Sequence, residues 1–333
     1  MPDKQCEVRL AKHVEDDLTL EHFDVVEVDV PEPGDGEVLV RVDYVSVAAA
    51  FKEFMKSDCQ IPGVPPWKVG DAAGAGGVGT VVKSNSPDLA VGDCVQSFGG
   101  WQEYWVGPAQ QFIKQNPQYV PSPVYFLSQG PTAYYGMATL AKAGEGDVVF
   151  VTGAAGGVGS LAGQIAKARG AKVIGSAGSQ EKVDWLVNEL GFDAAFNYKD
   201  GPAIDRLREL APDGISVFFD NVGGEQFEAA VQAARPHARF ALCGELSSQN
   251  SGAEHPRLDL MTAITKHLEI RPFACYHLPE QIQDWVVHFG QWLQEGRFVF
   301  PHTIVEGGIK AAPQALLSLL AGEYTGNVTV KIS

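Results

Sequence analysis

The pattern of hydrophobic and polar positions changes character partway along the chain. Up to about residue 120, short segments such as 37–46 alternate between apolar and polar residues and are separated by Gly, Pro, Asn and Asp. This alternation predicts half-buried β-strands joined by turns. From about Gln129 onward, continuous apolar runs alternate with segments of helical period. This second pattern is typical of a parallel sheet with helical crossovers. The chain is therefore expected to contain a β-rich domain and an α/β domain.

The α/β part can be divided further into individual elements. Apolar runs predict strands at 148–151, 171–175, 215–220, 238–244 and 268–273. The long helix that follows is expected to turn these side chains inward: Ile282, Trp285, Val286, Phe289, Trp292 and Leu293. The final apolar segment, 325–332, predicts a strand that returns to the β-rich domain. The expected boundaries are therefore 1–125 with 298–333 for the β-rich domain, and 126–297 for the α/β domain.

A glycine-rich loop follows the first predicted strand of the α/β domain. Gly153, Gly156 and Gly159 would let the backbone turn tightly, approach a pyrophosphate and pack a helix against the strand. The free N–H groups and partial positive charge of that helix N-terminus favour an anion. Because a strand precedes the loop and a helix follows it, the segment predicts dinucleotide binding. A second glycine-rich stretch, 74–79, precedes a β-branched strand instead, and we interpret it as a corner of the β-rich domain.

The end of the next predicted strand indicates which dinucleotide binds. Enzymes selective for NAD usually carry Asp or Glu about 20 residues beyond the glycines, where it holds the ribose 2′-hydroxyl. Here the strand ends in the small residues 176–179, and Lys182 follows one turn into the next helix. A 2′-phosphate would meet no carboxylate at the strand end, and Lys182 could balance its charge. The sequence therefore favours NADP(H), the alternative being that Lys182 lies on a solvated helix face.

Composition narrows the class of protein further. A length of 333 residues suits two domains, and the formal net charge of −16 disfavours binding to nucleic acid or to anionic membranes. No apolar run approaches the roughly 20 residues that span a bilayer, and the N-terminus lacks signal-peptide features, so a cytoplasmic location is expected. The five cysteines are widely spaced and the eight histidines form no ligand motif. Neither a disulfide framework nor a metal site is therefore expected.

Segments throughout the chain share a further likeness. They are 77–84, 92–93, 101–104, 130–136, 155–160, 178–182, 191–199 and 219–225. Together they resemble the zinc-free medium-chain dehydrogenase/reductase superfamily, and most of all its alkenal/one oxidoreductase group of prostaglandin, curcumin and plant double-bond reductases. The resemblance covers nearly the whole chain. It implies a doubly wound Rossmann sheet, a GroES-like β-barrel domain completed by the C-terminal strand, NADP(H) as cofactor and a homodimer.

The resemblance also implies roles for individual residues. The pyrophosphate would be held by Ala155, Gly156, Gly157 and Val158, and the adenosine ribose with its 2′-phosphate by Ser179, Lys182 and Tyr198. Thr132 would lie near the nicotinamide, and Asn221 beside the nicotinamide ribose or the pyrophosphate. The resemblance further implies that residues of two loops and one position near the C-terminus contact the cofactor or the substrate: Cys243, Gly244, Gln249, Phe273, Cys275, Tyr276 and Tyr324.

Three positions depart from the pattern of the group. Gln249 stands where a tyrosine is usual, Ala48–Lys52 replace an Asp-Pro-Tyr-Met-Arg motif, and Tyr324 replaces an asparagine that commonly meets the cofactor. Cofactor binding is expected to survive these changes. The substrate and the proton donor do not transfer from the group.

The implied reaction is NADPH-dependent reduction of a carbon–carbon double bond conjugated to a carbonyl. Negative charge developing on the carbonyl oxygen would be stabilised by backbone N–H groups of the 244–249 loop, by the nicotinamide ribose hydroxyl or by Tyr276. Phe51, Trp101 and Tyr276 would line a cleft for bulky apolar substrates. Two alternatives remain, an NADPH quinone oxidoreductase and an NADPH-binding protein that has lost catalysis.

Gln249 provides a first test of this interpretation. Its amide can donate a hydrogen bond but cannot act as an acid near neutral pH, so proton delivery from solvent or from another tyrosine is expected. Replacing Gln249→Ala should therefore lower turnover only modestly, as measured by steady-state kinetics. A loss above about a thousandfold, the effect of deleting a principal oxyanion donor, would contradict this expectation.

Overall fold

The chain folds into two compact units. The computed structural model describes residues 2–59, 61, 66–251 and 255–333, and the side chains of residues 119 and 249–251 lie outside that description. Unit 1 comprises Met1–Ser128 and His302–Ser333, and unit 2 comprises Gln129–Pro301. The sequence-based boundaries, at 125/126 and 297/298, lie close to these limits. Among the described residues, no helix combines the length and apolar character that crossing a bilayer requires.

The elements follow one another along the chain in three groups. Unit 1 begins with strands β1 Lys4–Leu10, β2 Phe23–Asp29, β3 Glu37–Val47, β4 Gly77–Ser84, β5 Cys94–Ser97, β6 Tyr104–Pro108 and β7 Ile113–Gln115, and with helix α1 Phe51–Phe54. Unit 2 contains α2 Gly130–Tyr134, β8 Val148–Val151, α3 Gly157–Ala168, β9 Lys172–Ala177, α4 Gln180–Asn188, β10 Ala194–Asn197, α5 Ala203–Leu210, β11 Ile215–Asp220, α6 Gly224–Ala233, β12 Ala234–Leu242, α7 Leu246–Ser251, α8 Leu260–Thr265, β13 Glu269–Pro272 and α9 Pro279–Gln294. The chain returns to unit 1 with β14 His302–Val305, α10 Ala312–Leu320 and β15 Asn327–Lys331.

Unit 1 is built mainly from antiparallel strands. Its larger sheet has the order β14-β15-β3-β4-β5-β7, with β6 also paired to β3. The C-terminal strand β15 runs antiparallel to β3, with Val328 opposite Val47, so the segment expected to return to the β-rich domain does so. The glycine-rich stretch before β4 forms a corner, as expected. Gly74 has φ +83°, and a β-carbon there would overlap the indole ring of Trp101.

Unit 2 contains the doubly wound sheet that the sequence predicts. In the described residues its strand order is β10-β9-β8-β11-β12-β13, and the neighbouring strands run parallel. The chain moves outward from β8 in one direction and then crosses back to continue from β11 in the other. In sheets of this type, ligands bind outside the carboxyl ends of the strands at this switch point. Every loop that leaves a strand at this edge is therefore a candidate for the functional site.

One prediction about the long helix α9 is wrong. Trp285, Phe289 and Trp292 are buried as expected, but Ile282 and Val286 are 43% and 52% exposed. The buried positions follow the spacing i, i+4, i+7, which is a narrower stripe than the sequence pattern predicts. Trp285 packs so closely on α2 that a β-carbon on Gly130 would overlap its ring. The large tryptophan side chains fill the contact between α9 and α2. The neighbouring face of α9, which carries Ile282 and Val286, therefore stays exposed.

The loops after β8 and β11 are fastened together by a buried hydrogen-bond network. Thr152 donates through Oγ1 to Oδ1 of Asp220 over 2.7 Å, and the backbone N–H of Asn221 donates to the same Thr152 oxygen over 2.9 Å. Asp220 also accepts from the backbone N–H groups of Val222 and Gly223, each at 3.0 Å. Burial raises the pKa of Asp220, and the hydrogen bonds that it accepts oppose this shift. The network fixes the backbone at the switch point of the sheet.

Replacing Thr152→Val tests the contribution of this network to stability. The substitution keeps the side-chain shape, removes a donor to Asp220 and leaves the N–H of Asn221 without its acceptor. A buried group that loses its partner costs about 1–3 kcal/mol, so the free energy of unfolding in urea should fall by that amount. Thr152→Ser keeps the hydroxyl and is the matched control. Equal stability of the two variants would contradict the assignment.

Candidate functional site

The glycine-rich loop places an open helix N-terminus at the switch point. Gly153 has φ +57°, and a β-carbon on Gly159 would overlap the carbonyl oxygen of Gly153. Helix α3 begins after Gly156, and in the described part of the chain no side chain caps it and its first turn carries no acidic residue. Gly156 is exposed, Gly157 and Val158 are half-buried, and Ala155 is buried. Because no acidic residue stands in its first turn, the positive end of the helix dipole favours an anion here.

Cationic and phenolic groups converge where β9 and β10 end. The backbone N–H of Tyr198 donates to Ala177, and its hydroxyl lies 3.1 Å from where a β-carbon on Gly178 would stand. The Nζ atom of Lys199 lies 5.9 Å from the centroid of the Tyr198 ring. Burial lowers the pKa of Lys182, the charge of Glu181 opposes this shift, and the charge of Lys199 adds to it. Lys182 and Lys199, together with small residues in place of a carboxylate at the end of β9, fit a phosphate group.

A cavity of about 420 Å³ adjoins Tyr198. It is lined by Tyr198, by residues 201–202 and 222–226, and by Ser247, so it spans the edge between the end of β10 and the loop after β11. Pockets that hold small molecules usually have volumes of about 300–1,000 Å³. The cavity is therefore large enough for the adenosine part of a dinucleotide.

Ser179 serves the local fold as well as the candidate site. Its hydroxyl accepts the backbone N–H of Lys182 over 3.4 Å and thereby caps helix α4. Capping by serine stabilises a helix start, and here it sets the direction in which the first turn presents Lys182. Serine at this position thus positions a cation whether or not it contacts a ligand itself.

The loops after β11 and β12 are tied to one another by their backbones. The N–H groups of Cys243 and Gly244 both donate to the carbonyl oxygen of Asp220. The next N–H groups are also bonded inside the unit, as those of Leu246, Ser247 and Ser248 donate to Asn221, Val222 and Glu245. These groups cannot at the same time form an oxyanion hole. The expectation that backbone N–H groups of this loop stabilise negative charge is therefore not met by the five groups at 243, 244 and 246–248.

The side chains around this loop have defined environments. Asn221 is buried and donates through Nδ2 to the carbonyl oxygen of Thr152 over 2.7 Å, so its amide nitrogen is already engaged. Burial raises the pKa of the Cys243 thiol far above its ordinary value, so this cysteine remains a neutral thiol. Gln249 lies in helix α7 by its backbone, and its side chain is outside the described part of the structure.

A layer of aromatic rings closes the end of β13. Phe273 packs against Phe219 and Tyr135 with ring centroids 6.1 and 5.7 Å away, and a β-carbon on Gly136 would overlap both phenylalanines. Beyond it, Cys275 is exposed and Tyr276 is 53% exposed. The buried hydroxyl of Thr132 on α2 lies 2.8 Å from Nε2 of His277. Thr132 thus meets the segment that follows β13 through His277.

Three predicted residues belong to unit 1. The ring of Trp101 is fully enclosed by its core, contacts Phe23 and Phe51, and donates through Nε1 to the carbonyl oxygen of Ser46 over 3.2 Å. Phe51 is also buried, and Tyr324 packs half-buried against the same core. This placement favours a core role for Trp101 over the lining of a substrate cleft.

Two residues of this edge were missed by sequence reasoning. Lys199 lies in a segment that carries the family resemblance, but its position beside Lys182 depends on how β9 and β10 pair. His277 follows β13 and meets Thr132 from 145 residues away. Neither contact leaves a periodic signal in the sequence, although the basic residue directly after Tyr198 could have been noticed as a second cation.

Comparison with protein families matches both units. A model described as the N-terminal domain of oxidoreductase matches residues 6–115, and one described as zinc-binding dehydrogenase matches residues 157–292. Among the residues that the structure describes, no three His, Cys, Asp or Glu side chains are grouped so that they could hold a metal ion.

Individual relatives match over nearly the full length. A putative NADP-dependent oxidoreductase of Bacillus subtilis, YfmJ, is 36% identical over 100% of this chain and 99% of its own. The NADP(+)-dependent 2-alkenal reductase of Nicotiana tabacum is 33% identical over 96% of this chain and 93% of its own. The structure of CurA from Vibrio vulnificus in complex with NADPH has a TM-score of 0.90 at 29% identity and covers 98% of this chain and 99% of that one.

The two lysines at the end of β9 and β10 can be tested with a fragment of the ligand. Lys182→Ala and Lys199→Ala should each weaken the binding of 2′,5′-ADP about tenfold, since each removes a charge-assisted contact worth about 1.4 kcal/mol. The affinity for 5′-AMP should stay unchanged. Lys172→Ala, at the opposite end of β9, is the control. Equal losses for both nucleotides in calorimetric titrations would show that the lysines do not recognise the 2′-phosphate.

Proposed function

Since the chain belongs to the zinc-free alkenal/one oxidoreductase group of the medium-chain dehydrogenases/reductases, we propose that it reduces the carbon–carbon double bond of α,β-unsaturated ketones and aldehydes. The protein is an NADP(H)-dependent oxidoreductase, and reduction of double bonds is the general chemistry of its relatives. The observation that carries the proposal is the cofactor edge of unit 2, where small residues replace the usual NAD-selective carboxylate at the end of β9, and Lys182 and Lys199 follow in α4 and after β10.

The order of the strands gives the direction in which the cofactor would lie. The pyrophosphate would bind at the N-terminus of α3, beside β8. The adenosine would then extend over β9 and β10, with its 2′-phosphate between Lys182, Lys199 and Tyr198 and its base toward the 420 Å³ cavity. The nicotinamide half would extend the other way, over β11 and β12 toward β13. Asn221, Cys243 and Thr132 lie on that side of the switch point.

The cofactor, when bound, supplies a hydride for the β-carbon of the substrate. The protein has to hold the double bond at the right distance and to stabilise the negative charge that develops on the carbonyl oxygen. Neither task requires a strong acid, because the α-carbon can take its proton from solvent. Tyr276, the exposed member of the predicted substrate residues, would contact the substrate.

A single assay separates this function from its alternatives. Oxidation of NADPH, followed by its absorbance, should proceed with an aryl enone and with a 2-alkenal, and product analysis should find the saturated carbonyl compound. NADH should react far more slowly at equal concentration. Turnover of quinones without turnover of enones would instead identify a quinone oxidoreductase. Binding of NADPH without turnover of either substrate set would identify a protein that has lost catalysis.

A further inference from the structure

His277 lies at the nicotinamide end of the sheet edge and belongs to none of the predicted sets of site residues. Its ring packs edge-on against Tyr135 with the centroids 5.7 Å apart, and its Nε2 atom lies 2.8 Å from Oγ1 of Thr132. The other ring nitrogen, Nδ1, is buried and has no hydrogen-bond partner among the residues that the structure describes. A buried polar atom in this position calls for a partner that the chain itself does not supply.

The contact with Thr132 bears on which ring nitrogen carries the proton. If the threonine hydroxyl donates to Nε2, the proton of the neutral imidazole must stand on Nδ1. The enclosed Nδ1 would then be an N–H donor, which is unfavourable unless it meets an acceptor. Burial lowers the pKa of His277, so the ring is neutral near neutral pH and retains this single N–H.

The strand order places this donor where the reaction would take place. β13 is the third strand from β8 on the side away from the adenosine end, and strands lie about 4.8 Å apart. A nicotinamide ring that extends from the pyrophosphate over β11 and β12 would approach the segment that follows β13. Its substrate would then lie close to the pair formed by Thr132 and His277.

Several other donors in this region are already used. The backbone N–H groups of Cys243, Gly244 and the 246–248 turn bond within unit 2, and one of the two amide N–H groups of Asn221 donates to Thr152. Negative charge that develops on an oxygen during hydride transfer needs a donor in place before the reaction. His277 offers one, because its Nδ1 lacks a partner within the unit.

We propose that His277 is a catalytic residue whose Nδ1–H donates a hydrogen bond to the carbonyl oxygen of the unsaturated substrate, with Thr132 holding the imidazole in that tautomer. The inference rests on the function proposed above and adds the group that polarises the substrate. The proton stays on Nδ1 throughout, so His277 acts as a neutral electrophile and the proton for the α-carbon still comes from solvent. Thr132 has a positioning role.

Substitution of His277 gives the kinetic test. His277→Phe keeps a ring of similar size and removes the donor, so kcat for an enone should fall about a hundredfold, the usual effect of losing one oxyanion donor. The Kd for NADPH, measured by fluorescence titration, should stay within twofold. His277→Gln restores an N–H donor and should recover at least tenfold of the loss. His288→Phe is the matched control, because His288 also bonds a side-chain hydroxyl, that of Tyr134, on α2.

A second measurement does not depend on turnover. In the ¹⁵N-histidine-labelled protein bound to NADP⁺, the resonances lost in His277→Phe identify the ring nitrogens of His277. We expect a protonated Nδ1 and an unprotonated Nε2, and a shift of the Nδ1–H signal when a saturated ketone product is added. Thr132→Val should convert the ring to a mixture of tautomers. A proton on Nε2 in the wild-type protein, or an Nδ1–H resonance that does not shift when the ketone is added, would overturn the proposal.

The outcomes separate this inference from the proposed function. If the wild-type protein reduces enones and His277→Phe does so within threefold of the wild-type rate, the role of His277 is refuted and the proposed function stands. If the wild-type protein oxidises no NADPH with any enone, both are refuted.

Discussion

The hydrogen bonds between Thr152 and Asp220 are the interaction on which the candidate site depends. They join the two strands at which the winding of the sheet reverses, and they fix the backbone of the loops that follow both strands. Because every other loop at this edge is placed relative to β8 or β11, the positions of the phosphate-binding turn and of the nicotinamide-side residues follow from this link. Burial of the carboxylate is the cost of the arrangement, and the N–H and O–H donors around Asp220 offset it.

The electrostatics of the protein are strongly local. A chain with a formal net charge of −16 repels polyanions as a whole, yet Lys182 and Lys199 follow the ends of β9 and β10, and the charge of Lys199 lowers the pKa of Lys182. A bound phosphate would relieve the repulsion between these two charges. In the proposed site the pair would select the cofactor without contacting the nicotinamide, because it lies at the opposite end of the sheet edge from the reacting groups.

Binding and chemistry use different kinds of groups at this edge. At the phosphate end, the glycine-rich turn and the positive end of the α3 dipole favour an anion. At the nicotinamide end, the backbone N–H groups of the 243–248 loop are mostly consumed in fastening that loop to Asp220 and its neighbours. Side chains must therefore supply the donors for the reaction, and His277 and Tyr276 are the candidates for this role. In this respect the chain differs from its relatives, which usually carry a tyrosine at the position of Gln249.

The class of fold, the glycine-rich turn, the returning C-terminal strand and the choice of NADP(H) could all be predicted from the sequence. The turn and the cofactor depend on neighbours within a few positions, such as the apolar run before Gly153 or the small residues before Lys182. Tertiary structure alone decided that Trp101 is enclosed, that Ile282 and Val286 are exposed, and that Thr132 meets His277 across 145 residues. Periodicity records which face of an element is apolar, but the depth of burial and the partners of polar atoms are set by packing between elements distant in the chain.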